Sequence, residues 1–364
     1  MKIEVIKFGG TSLKNREARQ KAITLIKKHS QHHHVVVIVS AMGRYNDAYA
    51  TDTLASLIHN FVSKKEQDRL LSIGEIISSI VLCDELLAEN VQATSLSIQK
   101  AGIMTDDCYG RASVEFVKTD DLYKALKHYR VVVVPGFQGL SKEKEITTLG
   151  KGGSDYSAVI LSRALQLKEA TIYSDVCGIY TADPKLVDNV VLLDEISYEQ
   201  AEEIARYKAN VINEDAVMYA KKYHIDLILK STFVDSLHTI IHEKAQKKKC
   251  LCYAKGYCEV RFEKLLNIDD IKRSSFTLAN DHYMFEKKEL ENLKTDYSLL
   301  GEYTMLHFVG FENDLSKEIS KISSVPFIVA SNDQNTFFVL EKDTKNILNL
   351  WHDALILEEK NEFS

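Results

Sequence analysis

The chain has 364 residues, 45% of them hydrophobic and 27% charged, with a formal net charge of −6. That is too long for one ordinary domain, so two or three are expected, with cores large enough to need neither disulfide nor metal. The mildly acidic balance argues against a nucleic-acid partner, no stretch reaches the ~18 apolar residues of a membrane span, and the start lacks an apolar leader, which fits a cytoplasmic protein.

Ile3 to Phe8 reads as a short buried strand, followed by Gly9-Gly10-Thr11-Ser12. Arg16 to His29 then carries Ala18, Ala22, Ile23, Leu25 and Ile26 at helical spacing. His32-His33-His34 is a polar turn before Val35 to Val39, an unbroken β-branched run of the kind buried on both faces in a parallel sheet. Strand, helix, strand makes one βαβ unit. Leu70 to Leu87 is expected as a single apolar helix, Ala93 to Ser97 as a strand, Asp120 to His128 as a helix and Val131 to Val134 as a buried strand. Asp155 to Leu167 continues as helix and Ala170 to Ser174 as strand. Tyr198 to Tyr207 and Asp215 to Tyr223 are helical, and Asp226 to Lys230 closes the series as a strand. This alternation predicts a three-layer α/β domain with a mainly parallel sheet over residues 1–242.

Composition then shifts. Gln246 to Lys249 reads as a linker, its three lysines a solvated loop rather than a phosphate track. The remainder, 250–364, is expected to be α+β. Its best-formed part runs strand Tyr303–Val309, helix Asn313–Ile322, strand Phe327–Ala330, strand Thr336–Leu340 and helix Thr344–Leu355, with a poorer copy of the pattern over Glu259–Phe285. The six cysteines are expected as free thiols. Cys250, Cys252 and Cys258 lack zinc-like spacing and no histidine follows at finger distance, so no metal site is expected.

Three motifs carry chemistry. Lys7-Phe8-Gly9-Gly10-Thr11-Ser12 lies between a strand and a helix. Its glycines let backbone N–H groups approach a phosphate, the helix start adds partial positive charge, and Lys7 adds a full one. Gly150-Lys151-Gly152-Gly153-Ser154-Asp155 repeats the same physics before a second helix. Both loops can reach the carboxyl edge of one parallel sheet, where ligands bind. Neither is a Walker loop or a dinucleotide fingerprint. The third motif, Ser174 to Lys185, leaves a strand into a turn-rich segment in which Asp175 can contact a ribose or position a group and Lys185 can meet phosphates, although Asp-Pro-Lys read alone is only a turn.

With Val39-Ser40-Ala41-Met42-Gly43, these motifs in this order resemble the aspartate kinases of the amino acid kinase superfamily across about residues 1–240. The resemblance implies ATP-dependent phosphorylation of the aspartate side-chain carboxylate. Lys7 and Asp155 would be catalytic. Phe8, Gly9, Gly10, Ser12, Lys151, Gly152, Gly153, Ser174, Asp175, Tyr180 and Lys185 would surround ATP. Thr51, Glu75, Arg111 and Ser154 would hold aspartate, with Glu75 on its ammonium group and Arg111 on its α-carboxylate. Magnesium would arrive on the ATP phosphates rather than on a protein site. The tail resembles the paired ACT modules of that family, with the first trimmed and the second over about residues 300–360, which implies a homodimer through this region and weak or absent inhibition by lysine or threonine.

The family's Gly-Ala-Lys-Val-Leu-His-Pro stretch is replaced here by Lys208-Ala209-Asn210-Val211-Ile212-Asn213-Glu214. Two other readings therefore stand beside the first: a regulatory paralogue that binds ATP or an amino acid without catalysis, and a kinase for another small amino acid such as glutamate. On local grounds alone, Glu75 reads equally as a surface charge at a helix start, and Arg111 as the partner of Asp106 or Asp107.

Overall fold

The computed structural model describes all residues except 60, 208–210, 236, 263–275, 279–281, 291–295, 331–332 and 358–364. It divides into two compact units. The first comprises Met1–Ile179, Asp194–Glu202 and Val211–Gln246, and the second Tyr180–Leu193, Glu203–Asn210 and Lys247–Ser364.

In the first unit β1 (Ile3–Phe8) leads through the one-turn α1 (Gly10–Leu13) into α2 (Arg16–Ser30) and β2 (His34–Val39). Asn15 caps α2, its side-chain oxygen accepting the Ala18 amide at 2.9 Å. Next come α3 (Thr51–Ala55), α4 (Lys64–Leu71), α5 (Ile73–Ala88), β3 (Ala93–Ser95), α6 (Ile98–Ala101), β4 (Ile103–Thr105) and β5 (Val114–Val117). They are followed by α7 (Asp120–His128), β6 (Val131–Pro135), β7 (Gln138–Leu140), β8 (Ile146–Thr148), α8 (Gly153–Ala164), β9 (Glu169–Ser174) and β10 (Glu195–Ile196). The series ends with α9 (Tyr198–Arg206), which belongs to this unit only as far as Glu202, then α10 (Glu214–Tyr223), β11 (Asp226–Ser231) and β12 (His238–Ile241).

The main sheet has eight strands in the order β10-β12-β11-β9-β1-β2-β6-β3. The six from β11 to β3 pair in parallel, while β12 runs antiparallel to β11 and carries β10 with it. Alternation within β2 builds both faces of the sheet. Val35, Val37 and Val39 pack with Ile23 and Ile26 of α2 and Leu82 and Leu86 of α5, whereas Val36 and Ile38 pack with Leu122 of α7 and Ala158 and Leu161 of α8. This is the expected three-layer arrangement, since consecutive strand side chains point to opposite faces.

Two expectations need correction. The apolar run over Leu70–Leu87 is two helices, because the chain bends at Ser72, whose hydroxyl donates back to the Arg69 carbonyl at 2.9 Å. A second sheet, ordered β5-β4-β7-β8, was not anticipated. Its strands have three or four residues each, too few to show a two-residue period.

In the second unit, β13 (Cys250–Phe262), β14 (Phe276–Thr277), β15 (His282–Glu286), α11 (Lys287–Leu290), β16 (Tyr297–Val309), α12 (Ser316–Ile322), β17 (Phe327–Ala330), β18 (Asp333–Leu340) and α13 (Thr344–His352) follow in order. The six strands join one antiparallel sheet, β14-β15-β13-β16-β18-β17. The strand-helix-strand-strand-helix order read from the sequence is present from β16 to α13. Trp351, Phe308, Phe337, Leu348 and Ile319 centre its core, and Ala182 and Val187 belong to the same cluster. The expected helix-poor copy over Glu259–Phe285 falls largely on residues outside the described set. Cys250, Cys252 and Cys258 are buried free thiols. Among the described residues no helix is long and apolar enough to cross a membrane.

Candidate active site

The site lies at the carboxyl ends of the parallel strands of the first unit. Phe8 ends β1, and the Gly9 amide donates to the Tyr173 carbonyl at 3.0 Å. Gly10 opens α1 where the Ala41–Gly43 loop passes. A Cβ at that position would lie 2.5 Å from the Gly43 carbonyl oxygen and 2.7 Å from that of Ala41, so only glycine fits. The second glycine-rich loop enters α8 through Gly150 (φ +80°) and Gly152 (φ +77°), both in the left-handed region.

Lys7 joins the two loops. Its Nζ is 2.6 Å from Oδ1 of Asp155, in the first turn of α8, and both residues are 8% exposed. A buried cation held by one carboxylate keeps N–H capacity for a second anion, since an ammonium has three donors. Ser154, beside Asp155, is also buried.

Glu75 stands in the first turn of α5 and is 2% exposed. Its Oε1 accepts the Ala41 amide at 2.9 Å, while Oε2 is buried with no hydrogen-bond partner among the described residues. Burial pushes its carboxyl up to about 8, against the opposing pull of the Ala41 amide, the Thr51 hydroxyl and the Lys7 charge. Gly74 admits this helix to the site, since a Cβ there would lie 2.5 Å from the Tyr49 carbonyl oxygen.

Arg111 reaches outward from the loop between β4 and β5. Its Nη2 donates to both oxygens of Asp215, at 3.0 and 3.2 Å. Asp68 on α4 accepts the Gly110 amide at 2.9 Å and the Thr148 amide at 2.7 Å. Burial raises its carboxyl pKa, and those same amides act in the opposite direction. Asn213 works twice. Its Oδ1 caps α10 by accepting the Ala216 amide at 2.8 Å, and its Nδ2 donates to the Lys151 carbonyl at 2.7 Å.

The amino acid kinase family model matches residues 2–231. Over 352 residues the chain is 35% identical to the aspartokinase of Bacillus sp. (strain MGA3), covering 96% of this chain and 80% of that one. The chain belongs to the amino acid kinase family, among the aspartokinases. It is 40% identical over 245 residues to aspartokinase 1 of Bacillus subtilis (strain 168), a match covering 66% of this chain and 61% of that relative. The match to the Geobacillus stearothermophilus aspartokinase, at 38% identity, likewise spans 61% of the relative's length. The crystal structure of E. coli aspartokinase III in complex with aspartate and ADP superposes with a TM-score of 0.75 at 20% identity, covering 98% of this chain and all of that one, which establishes the fold.

Most of the residues singled out in the sequence of this aspartokinase-family chain lie in the first unit. Lys7, Gly9, Gly10, Asp155 and Ser154 gather at the two loops, and the Thr51 hydroxyl lies near enough to Glu75 to favour its ionised form. Ser12 is buried and its Oγ accepts the Thr232 hydroxyl at 2.7 Å. Ser174 closes a turn on Val176, and Asp175 pairs with Arg44 at 3.0 Å. The Phe8 ring is fully buried and stacked on Tyr173 at 4.9 Å, so only its backbone is left for a ligand. Tyr180 and Lys185 belong to the second unit. The local alternatives for Glu75 and Arg111 also fail. Glu75 is buried, and Asp106 spends its Oδ1 on the Cys108 and Ser113 amides while Arg111 takes Asp215. Asp68, Asn213 and Asp215 were missed, because no motif marks them.

Proposed function

We propose that this chain is an aspartate kinase, which transfers the γ-phosphoryl group of ATP to the side-chain carboxylate of L-aspartate and yields 4-phospho-L-aspartate and ADP. The observation that carries the reading is the buried Lys7–Asp155 pair between two glycine-rich helix starts. A pair of that kind presents a fixed cation where two anions must meet.

The chemistry asks little of covalent catalysis. A carboxylate oxygen attacks the γ-phosphorus, the bond to the β-phosphate bridging oxygen breaks, and ADP leaves with the electron pair. The acceptor is already ionised, so no general base is required. What the protein must supply is position and neutralisation. Lys7 takes the β- and γ-phosphate charge, with Asp155 fixing its ammonium. The amides of Gly9, Gly10, Gly152 and Gly153 and the side chain of Lys151 receive phosphate oxygens. Glu75, once ionised, takes the aspartate ammonium group, with Thr51 and Ser154 beside it. Arg111 takes the α-carboxylate through its planar fork. Ser174 and Asp175 are assigned to the nucleotide.

Magnesium would arrive as a companion of ATP. Asp155 is occupied by Lys7, and among the described residues no group of three or more His, Cys, Asp or Glu could hold an ion. Bound to the nucleotide, the ion would neutralise phosphate charge.

We read the second unit as the ACT-like regulatory part and the surface for a homodimer, on the strand-helix-strand-strand-helix order of β16 to α13. The test of the main reading is aspartate-dependent ADP release by the purified full chain, with acyl phosphate trapped as the hydroxamate. Turnover with glutamate in place of aspartate, or ATP binding without turnover, would replace it with one of the two competing readings.

A further inference from the structure

Helix α4 reads Lys64-Lys65-Glu66-Gln67-Asp68-Arg69, the composition of a solvated face. Asp68 is nevertheless 1% exposed. Its Oδ2 accepts the amides of Gly110 and Thr148 at 2.9 and 2.7 Å, and its Oδ1 accepts the Thr148 hydroxyl at 2.9 Å. Taking a carboxylate out of water is costly, and neutral donors offset that cost only when several converge. If all that mattered were packing α4 against β8, an apolar side chain would do so at lower cost.

The donors come from two loops. Gly110 immediately precedes Arg111. Thr148 ends β8, two residues before Gly150 and the second glycine-rich loop. The Ala112 amide also donates to the Thr148 carbonyl at 2.8 Å, so Asp68 closes a knot that the backbone begins. Its three acceptor contacts fix the root of Arg111 against the root of the phosphate loop.

We propose that Asp68 is a positioning residue that ties the Arg111 loop to the second glycine-rich loop and so sets the span between the grip on the acceptor's α-carboxylate and the phosphate site. The identity of the acceptor rests on the proposed function; the coupling of the two loops does not. Asp68 itself touches no substrate.

The test uses the full chain, comparing wild type with Asp68→Asn and Thr148→Val by initial-rate kinetics and by amide hydrogen exchange over residues 106–112 and 147–153. Loss of a charged acceptor's hydrogen bonds should raise the aspartate KM about ten-fold in Asp68→Asn, with the ATP KM within about two-fold, and Thr148→Val should shift it about three-fold in the same direction. Exchange should quicken in both segments together while β6 stays protected. An unchanged aspartate KM in both folded variants, or faster exchange in one segment alone, overturns the proposal. If Asp68→Asn does not fold, Thr148→Val carries both readouts. A wild-type enzyme that uses a different carboxylate sinks the proposed function, and the KM for that acceptor then tests the brace. A wild type with no acceptor at all leaves the paired exchange result to decide.

Discussion

Arg111 spends one nitrogen, Nη2, on both oxygens of Asp215, leaving the other edge of its guanidinium uncommitted among the described residues. The pair is exposed on the arginine side. Exposed ion pairs contribute at most about 1 kcal/mol, so a substrate carboxylate can displace this one. With Arg111 in its proposed role, Asp215 is an internal competitor for aspartate. Replacing it with asparagine should lower the aspartate KM by roughly two- to five-fold, the range set by that small energy. A steady-state titration of aspartate in Asp215→Asn checks this, and a raised KM would mean that Asp215 aims the arginine instead of occupying it.

Lys7 and Asp155 make the opposite case, because both are buried. Lys7→Met should cut kcat by at least about 100-fold, the scale of losing a fixed charge at a developing anion. It should also destabilise the fold, since a buried carboxylate left alone costs about 3–5 kcal/mol. The double variant Lys7→Met with Asp155→Asn should recover the melting temperature and none of the activity. Recovered turnover would move the phosphate charge to another residue.

Glu75 sets a pH dependence. Its folded carboxyl sits at about 8, above the ordinary 4.5. Between those values the folded state holds a proton that the unfolded state has released, so stability falls as pH rises through that window. Glu75→Gln removes the effect, and its advantage in urea unfolding should be largest at pH 8.5 and vanish toward pH 5. In the proposed role of Glu75, aspartate binding runs the other way, because the ammonium group needs the ionised form. The wild-type aspartate KM should fall between pH 6.5 and 8.5 and the Glu75→Gln KM should stay flat. Parallel pH curves for the two would detach Glu75 from the substrate.

Gly152 and Asn213 form a close pair. A Cβ at 152 would lie 2.9 Å from the Asn213 Cβ, on a backbone with φ of +77°. Gly152→Ala should therefore cost at least about 1 kcal/mol and weaken ATP binding. Asn213→Ala should cost about 1 kcal/mol through the lost cap of α10 and release the Lys151 carbonyl. Thermal unfolding and nucleotide titration separate the two effects. An unchanged nucleotide affinity in both variants would remove the brace between α10 and the loop.

Much of the first unit was legible in the sequence because its signals are contiguous. Val35–Val39 and Val131–Val134 announce buried parallel strands, and the two glycine-rich stretches announce the turns that open α1 and α8. The residues that stayed hidden act across distance. Asp68 sits in a run of charges indistinguishable from a solvated helix face, and Asp215 and Asn213 look like ordinary helix-start residues. Their roles depend on which loop passes each of them, and that is decided by the packing of segments far apart in sequence. The four short strands of the second sheet were illegible for another reason, since three residues carry no period. The nucleotide segment was read as one stretch, yet it parts at Ile179 and Tyr180 into different units.

That parting has a consequence for how such a protein can be shortened. Residues 180–193 and 203–210 come from the middle of the chain, but they belong to the C-terminal unit, and Ala182 and Val187 lie in the core with Trp351 and Phe308. A stop codon near residue 246 would not excise the second unit whole. It would leave the middle of the chain with apolar side chains whose companions had been deleted. A shortened chain that kept the first unit would need polar side chains in place of Ala182 and Val187.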